Sequence, residues 1–221
     1  MMWITEFLLK NLKNNWKLKY LVFVVLTSSL TQAQNISLKT GDLIFQSMDC
    51  GPLCEAINEV TEGYQGKDFS HIGLVYIKND STFVIEASGN AVRLTPLQTF
   101  QTYTKAPMYI GRLKRKYRRY IPKAISFSLT QIGIPYDDAY LYDNGKYYCS
   151  ELLYDAFLNA YGKPFFELLP MTFKSPKTKA FFQVWVDYYS NLKMEIPEGK
   201  LGCNPGGIST SNKLKIIGII K

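Results

Sequence analysis

An α+β domain is what this sequence predicts, and three observations carry the prediction. Short apolar runs bounded by Gly, Asn and Asp read as strands. Two stretches with apolar residues at helical spacing, each followed by Gly, read as helices. No internal repeat or low-complexity linker divides the chain, so strands and helices belong to one core.

The first residues stand apart. Met1–Tyr20 carries Lys10, Lys13, Lys17 and Lys19 against one Glu6, and is followed by LVFVVLTSSL (Leu21–Leu30) and TQAQ (Thr31–Gln34). A cationic segment, a short apolar segment and a small residue before a polar one are the parts of a secretory leader, with cleavage expected after Ala33. The apolar run is too short to span a bilayer comfortably, which leaves an uncleaved anchor as the lesser alternative. The expected organisation is a leader over 1–33 and one domain over 34–221, exported to a periplasmic or other extracytoplasmic space, with membrane association open.

GDLIFQ (Gly41–Gln46) opens the domain as a strand, and GPLCEAINEVTEG (Gly51–Gly63) reads as a helix with Pro52 near its start. Strands are predicted over Phe69–Ile77 and Thr82–Ala87, separated by the turn residues KNDS, then over Ala91–Leu97 and Met108–Lys114. A helix follows from about Pro122 to Gly133, then a Tyr/Asp-rich loop (Ile134–Tyr148), then CSELLYDAFLNAYG (Cys149–Gly162) as a second helix. FFQVWVDYY (Phe181–Tyr189) fits a helix or a strand, and KLKIIGII (Lys213–Ile220) is a final strand.

Net charge is +8; without the leader's four lysines and one glutamate it is +5, too modest to imply a nucleic-acid partner. The one dense run, KRKYRR (Lys114–Arg119), reads first as a solvated turn, with contact to acidic phospholipid or an anionic envelope polymer as the alternative. The four cysteines lack metal-ligand spacing and there is a single histidine, so neither a metal site nor another cofactor is expected. If one cysteine works as a thiolate, at most one bridge forms among the other three, and joining Cys50 or Cys54 to distant Cys203 would close the longer loop.

That single histidine, His71, stands in an apolar strand, where a buried imidazole is either a core residue satisfied by backbone groups or a general base. Cys149 is its candidate partner. At a helix start its sulfur meets unpaired N–H groups, which favour thiolate and can also receive an oxyanion. Glu86, read alone as an edge-strand carboxylate facing water, becomes the candidate third member if Asn79-Asp80 forms a two-residue loop: Lys78 then pairs with Ser81 and position 73 faces 86, so His71 and Glu86 share a face as diagonal neighbours. One extra loop residue would send Glu86 to the other face.

GDLIFQ, then FSHIGLV, VIEA and, much later, YYCSELLYDAF resemble the YiiX-like, circularly permuted NlpC/P60 papain-like amidases, in which the histidine strand precedes the cysteine helix. The resemblance runs from about Gly41 to Gly162. It implies a permuted papain-like fold, a small antiparallel sheet or partial barrel against helices, with Cys149 as nucleophile, His71 as base and Glu86 as third member. It further implies a thiol hydrolase acting on a peptide, an amino-acid amide or a lipid-like substrate, with acyl transfer, lipid ester hydrolysis or a non-catalytic binding module as alternatives. The aromatic residues of Tyr136–Tyr148 and Phe181–Tyr189 are read as core before acyl site.

Overall fold

The computed structural model describes residues 36–221, which form one compact unit. The expected leader lies outside the described residues. The strands are β1 (Leu43–Gln46), β2 (His71–Lys78), β3 (Ser81–Ser88), β4 (Ala91–Pro96), β5 (Met108–Leu113), β6 (Leu169–Pro170), β7 (Leu201–Gly202) and β8 (Leu214–Ile220). The helices are α1 (Pro52–Val60), α2 (Leu97–Gln101), α3 (Ile121–Thr130), α4 (Cys149–Tyr161), α5 (Gln183–Leu192) and α6 (Pro205–Ser209). Six strands make one sheet, ordered β4-β3-β2-β1-β5-β8 with every pair antiparallel, and β6 pairs with β7 alone.

Because side chains alternate across a strand, the register divides this sheet into two faces. Phe45, Ile72, Leu74, Ile85 and Ala87 point to the face covered by α4, where they join Leu152, Leu153, Ala156 and Phe157 in the main core. Ile44, Val75, Val84 and Ile110 point the other way and bury against Phe100 of α2. A third cluster sets Ala56 of α1 against Phe173, Trp185 and Tyr189.

Several details differ from the sequence reading. The ambiguous segment around Phe181 is the helix α5, because Trp185 and Tyr189, one turn apart, share a buried face. Helix α1 stops at Val60 rather than Gly63: Thr61 takes an extended backbone and its hydroxyl donates back to the Ile57 carbonyl. The basic run forms a 3₁₀ turn, Arg115–Tyr120, leading into α3. The short α2, α6 and the β6–β7 pair were not anticipated; each is too brief to leave a periodic signal.

The pairing that the sequence leaves open is not the long bridge to Cys203. Cys50 and Cys54 form the disulfide, and Cys203 is a free, buried thiol, as is Cys149. The first turn of α1 explains the pairing, since it brings positions 50 and 54 to a Cα separation of 5.3 Å, well inside bridging range.

Candidate active site

The β2–β3 hairpin sets the site. Asn79 and Asp80 both adopt positive φ, 48° and 59°, the pattern of a two-residue type I′ turn that these residue types tolerate. Lys78 therefore pairs with Ser81 and Leu74 with Ile85, which puts Gly73 opposite Glu86 and His71 diagonal to it on the same face. The outcome is a buried contact of 2.6 Å between His71 Nε2 and Glu86 Oε2. Gly73 has no room for a side chain: a Cβ there would stand 2.2 Å from the Val84 side chain and 3.2 Å from Phe100, whose ring packs at 5.6 Å from the imidazole.

Glu86 is held from a second side. Its Oε1 accepts hydrogen bonds from Thr95 Oγ1 at 2.5 Å, the Tyr103 hydroxyl at 3.0 Å and Arg93 Nε at 3.2 Å. Sequence reasoning missed these three. Arg93 was within reach of the same arithmetic, because the two-residue loop Gly89-Asn90 pairs Ser88 with Ala91 and so Glu86 with Arg93. Thr95, two residues further along β4, shares that face, whereas Tyr103 arrives from the segment after α2, which no pairing rule locates. Burial works against the Glu86 carboxylate, but His71, Thr95 and Arg93 together hold its pKa below the ordinary value. Burial and the Glu86 charge push the Tyr103 phenol up, so it remains a donor.

Cys149 is the first residue of α4, preceded by an extended Tyr148 whose side chain makes no capping bond. The first-turn N–H groups of this helix thus lie at the sulfur without a side-chain cap. Helix α4 packs on β2 and β3 through Leu152, Leu153, Ala156 and Phe157, and His71 is the first residue of β2. Burial disfavours a charged imidazole here, yet the neighbouring Cys149 and the Glu86 carboxylate that His71 contacts outweigh it and raise the His71 pKa to about 9. With Nε2 engaged by Glu86, Nδ1 is the ring nitrogen left to exchange a proton with sulfur. The three residues singled out from the sequence are brought together.

Cys149 opens on a cleft of about 550 Å³. Its walls come from separate segments: Ile57 and Val60 of α1, Tyr136 and Tyr140 of the loop before α4, Met171 and Phe173, and Trp185 of α5. The Tyr-rich loop is shaped by buried carboxyls. Asp137 accepts the N–H groups of Ala139 and Leu141, and Glu151 accepts that of Asp143, its pKa pushed up to about 8 mainly by burial. Tyr140 and Trp185, whose rings meet edge-on at 5.8 Å, belong to the packed interior and to the cleft wall at once. Among the described residues, the Trp185 indole N–H has no hydrogen-bond partner. Cys203 lines the same cleft: its N–H donates to the Tyr148 hydroxyl and its carbonyl accepts from Ser150, which ties the 198–207 loop to the start of α4.

A sheet strand carrying the histidine, placed in the chain before the helix carrying the cysteine, is the arrangement of a permuted papain-like fold. The profile of the permuted papain-like amidase enzymes, the YaeF/YiiX, C92 family, matches residues 37–218, and the chain belongs to this family. It is similar to the uncharacterized protein YiiX of Escherichia coli strain K12, 30% identical over 129 residues, a match covering 56% of this chain and 59% of that one. The match therefore spans less than two thirds of that relative. In fold it is similar to the crystal structure of metalloprotein YiiX from Escherichia coli O157:H7, with a TM-score of 0.67 and 23% identity over 82% of this chain and 97% of the other.

A metal does not fit the residues of this chain that the structure describes. Among them no group of three or more His, Cys, Asp or Glu is placed to hold one, and Glu86, the carboxylate in contact with His71, has both oxygens engaged by protein donors.

Proposed function

We propose that this chain is a thiol hydrolase that cleaves an amide bond through Cys149, His71 and Glu86. The observation that carries the reading is the buried His71, held by Glu86 at 2.6 Å through one nitrogen, with Cys149 beside it at the head of a helix. His71 takes the Cys149 proton, and the thiolate attacks the substrate carbonyl carbon. The oxyanion sits against the backbone N–H groups of the first turn of α4. Imidazolium then protonates the departing amine, and water attacks the thioester, with His71 now accepting its proton, to release the acid and free Cys149. Glu86 keeps the ring oriented and favours its charged form.

The substrate in this reading is a peptide or amino-acid amide, cell-envelope derived if the expected leader exports the chain. The largely apolar walls of the cleft favour one further version, in which the acyl part is lipid-like and the same three residues hydrolyse or transfer an ester or amide. Incubating the purified protein with peptidoglycan fragments, acyl-amino acids and phospholipids separates the versions by product. Trapping the acyl group on Cys149 by mass spectrometry tests the shared intermediate. A protein that turns over none of these and whose Cys149 is no more reactive toward iodoacetamide than an ordinary thiol is a binding module, and the proposal fails.

A further inference from the structure

The basic run that the catalytic reading leaves unused is built into a surface of its own. Lys114, Arg115, Lys116, Arg118 and Arg119 are exposed around the 3₁₀ turn, and two cations join them from elsewhere in the chain. Lys213 accepts the Lys114 N–H with its carbonyl and carries its ammonium over Phe165, while Lys163 lies over Tyr161. The rings themselves form one network: Tyr117 contacts Tyr161 and Phe165, and Tyr120 contacts Tyr161 at 4.9 Å. Lys116 stands over Tyr117 and Arg119 over Tyr120, so each of the four rings holds a cation against its face. Among the described residues none of these cations forms an ion pair with a carboxylate. Like charges thus stand side by side, fixed by aromatic rings in place of acids, an arrangement that raises the local potential instead of cancelling it.

We propose that this basic-aromatic face docks the protein on an anionic phospholipid surface. Clustered Lys and Arg gain from the negative potential of such a surface, and partly buried tyrosines suit the headgroup layer. Single-stranded nucleic acid is the less favoured partner, because it binds by stacking bases on free aromatic faces and here cations already occupy those faces. The face is remote from the thiol. Tyr161 ends the 13-residue helix that Cys149 begins, about 18 Å away along the axis, so docking leaves the cleft open to its substrate.

The test is co-sedimentation of the full chain with vesicles of phosphatidylcholine, with and without about one third phosphatidylglycerol. Binding to the anionic vesicles alone, released by high salt, is expected. The variant Lys114→Gln/Arg115→Gln/Lys116→Gln/Arg119→Gln is expected to lower the partition coefficient at least about 100-fold, at roughly fivefold per cation. Lys163→Gln/Lys213→Gln, drawn from two other segments, lowers it about 25-fold on the same scale, and Arg115→Lys/Arg119→Lys keeps wild-type binding. Circular dichroism and iodoacetamide labelling of Cys149 stay unchanged in all three. Equal binding to both vesicle types overturns the proposal. So does wild-type binding by the two glutamine variants of the patch, including the case where only Lys10→Gln/Lys13→Gln/Lys17→Gln/Lys19→Gln abolishes it. Retention on an oligonucleotide or an anionic polysaccharide without vesicle binding overturns the lipid assignment as well.

Discussion

Cys149 and Cys203 face the same cleft, both reduced and both nearly buried, at 6% and 7% exposure. Their surroundings are opposite in effect. Cys149 begins a helix and neighbours an imidazole whose Nε2 contacts Glu86 at 2.6 Å. Cys203 sits in a loop beside the Tyr148 hydroxyl, and burial first, with the neighbouring Cys149 charge, pushes its thiol far up. Exposure therefore does not distinguish the two sulfurs. In the proposed reading it is access to a proton acceptor that separates them, and the packing of α4 supplies the imidazole to Cys149.

The sharpest way to break this contrast is to remove each sulfur in turn. Cys149→Ala is expected to abolish turnover, by about 10⁴-fold or more, together with fast alkylation by iodoacetamide. Cys203→Ala should leave the alkylation rate within about twofold, since its thiol stays protonated at neutral pH. If the Cys203 variant is the one that loses labelling, the assignment of the two thiols is reversed.

Next in size is the carboxylate behind the imidazole. Glu86→Gln keeps the shape and removes the charge, at an expected cost of about 10- to 100-fold in kcat/KM. The same change moves the alkaline limb of the pH–rate profile. In the wild type that limb falls near pH 9, where His71 loses the proton it must donate; without Glu86, which raises the His71 pKa, it shifts to lower pH by about one unit or more. A limb that stays in place would mean Glu86 does not act on His71. The linked stability effect has a definite sign. A pKa raised from 6.5 to about 9 on folding contributes stability that is full below pH 6.5 and is lost as pH rises through 9, so the urea midpoint should fall between pH 7 and 10, and fall less in Glu86→Gln.

Smaller effects concern the supports. Reducing the Cys50–Cys54 bridge, or Cys50→Ser/Cys54→Ser, is expected to cost about 2 kcal/mol by the entropy of so short a loop, read from urea unfolding. It should leave alkylation of Cys149 unchanged, because the bridge lies at the far end of α1 from the cleft residues Ile57 and Val60. The smallest change expected is from Arg93→Gln. Arg93 is partly exposed and shares Glu86 Oε1 with Thr95 and Tyr103, so a loss of no more than about threefold in kcat/KM is expected. A loss as large as that of Glu86→Gln would show that the arginine, not the histidine, sets the charge of that carboxylate.

The hairpin was legible because its rules are local: Asn79-Asp80 can take positive φ, and once that turn forms the faces of His71 and Glu86 follow from alternation. The start of α4 was legible from its apolar spacing, with Gly162 closing it in the left-handed conformation. Tyr103 was not, since its hydroxyl reaches Glu86 only after α2 has folded over the small core of Ile44, Val75 and Val84. The cysteine pairing was left open, because loop length alone favours the long bridge without deciding it. Four residues of separation at the first turn of a helix already place two sulfurs within reach, and that was visible in CGPLC.

What the chain by itself determined is therefore the placement of the candidate residues on single elements: one imidazole on a strand, one carboxylate on its hairpin partner, one sulfur opening a helix. Only the packed molecule decided that this sulfur, and not Cys203, meets the imidazole, and that Tyr136, Phe173 and Trp185 enclose the space in front of it. The reason is range. Turn geometry and side-chain alternation act over a few residues, whereas the cleft joins segments scattered from α1 to the 198–207 loop, and their meeting depends on burying α4 against the sheet, which no local pattern encodes.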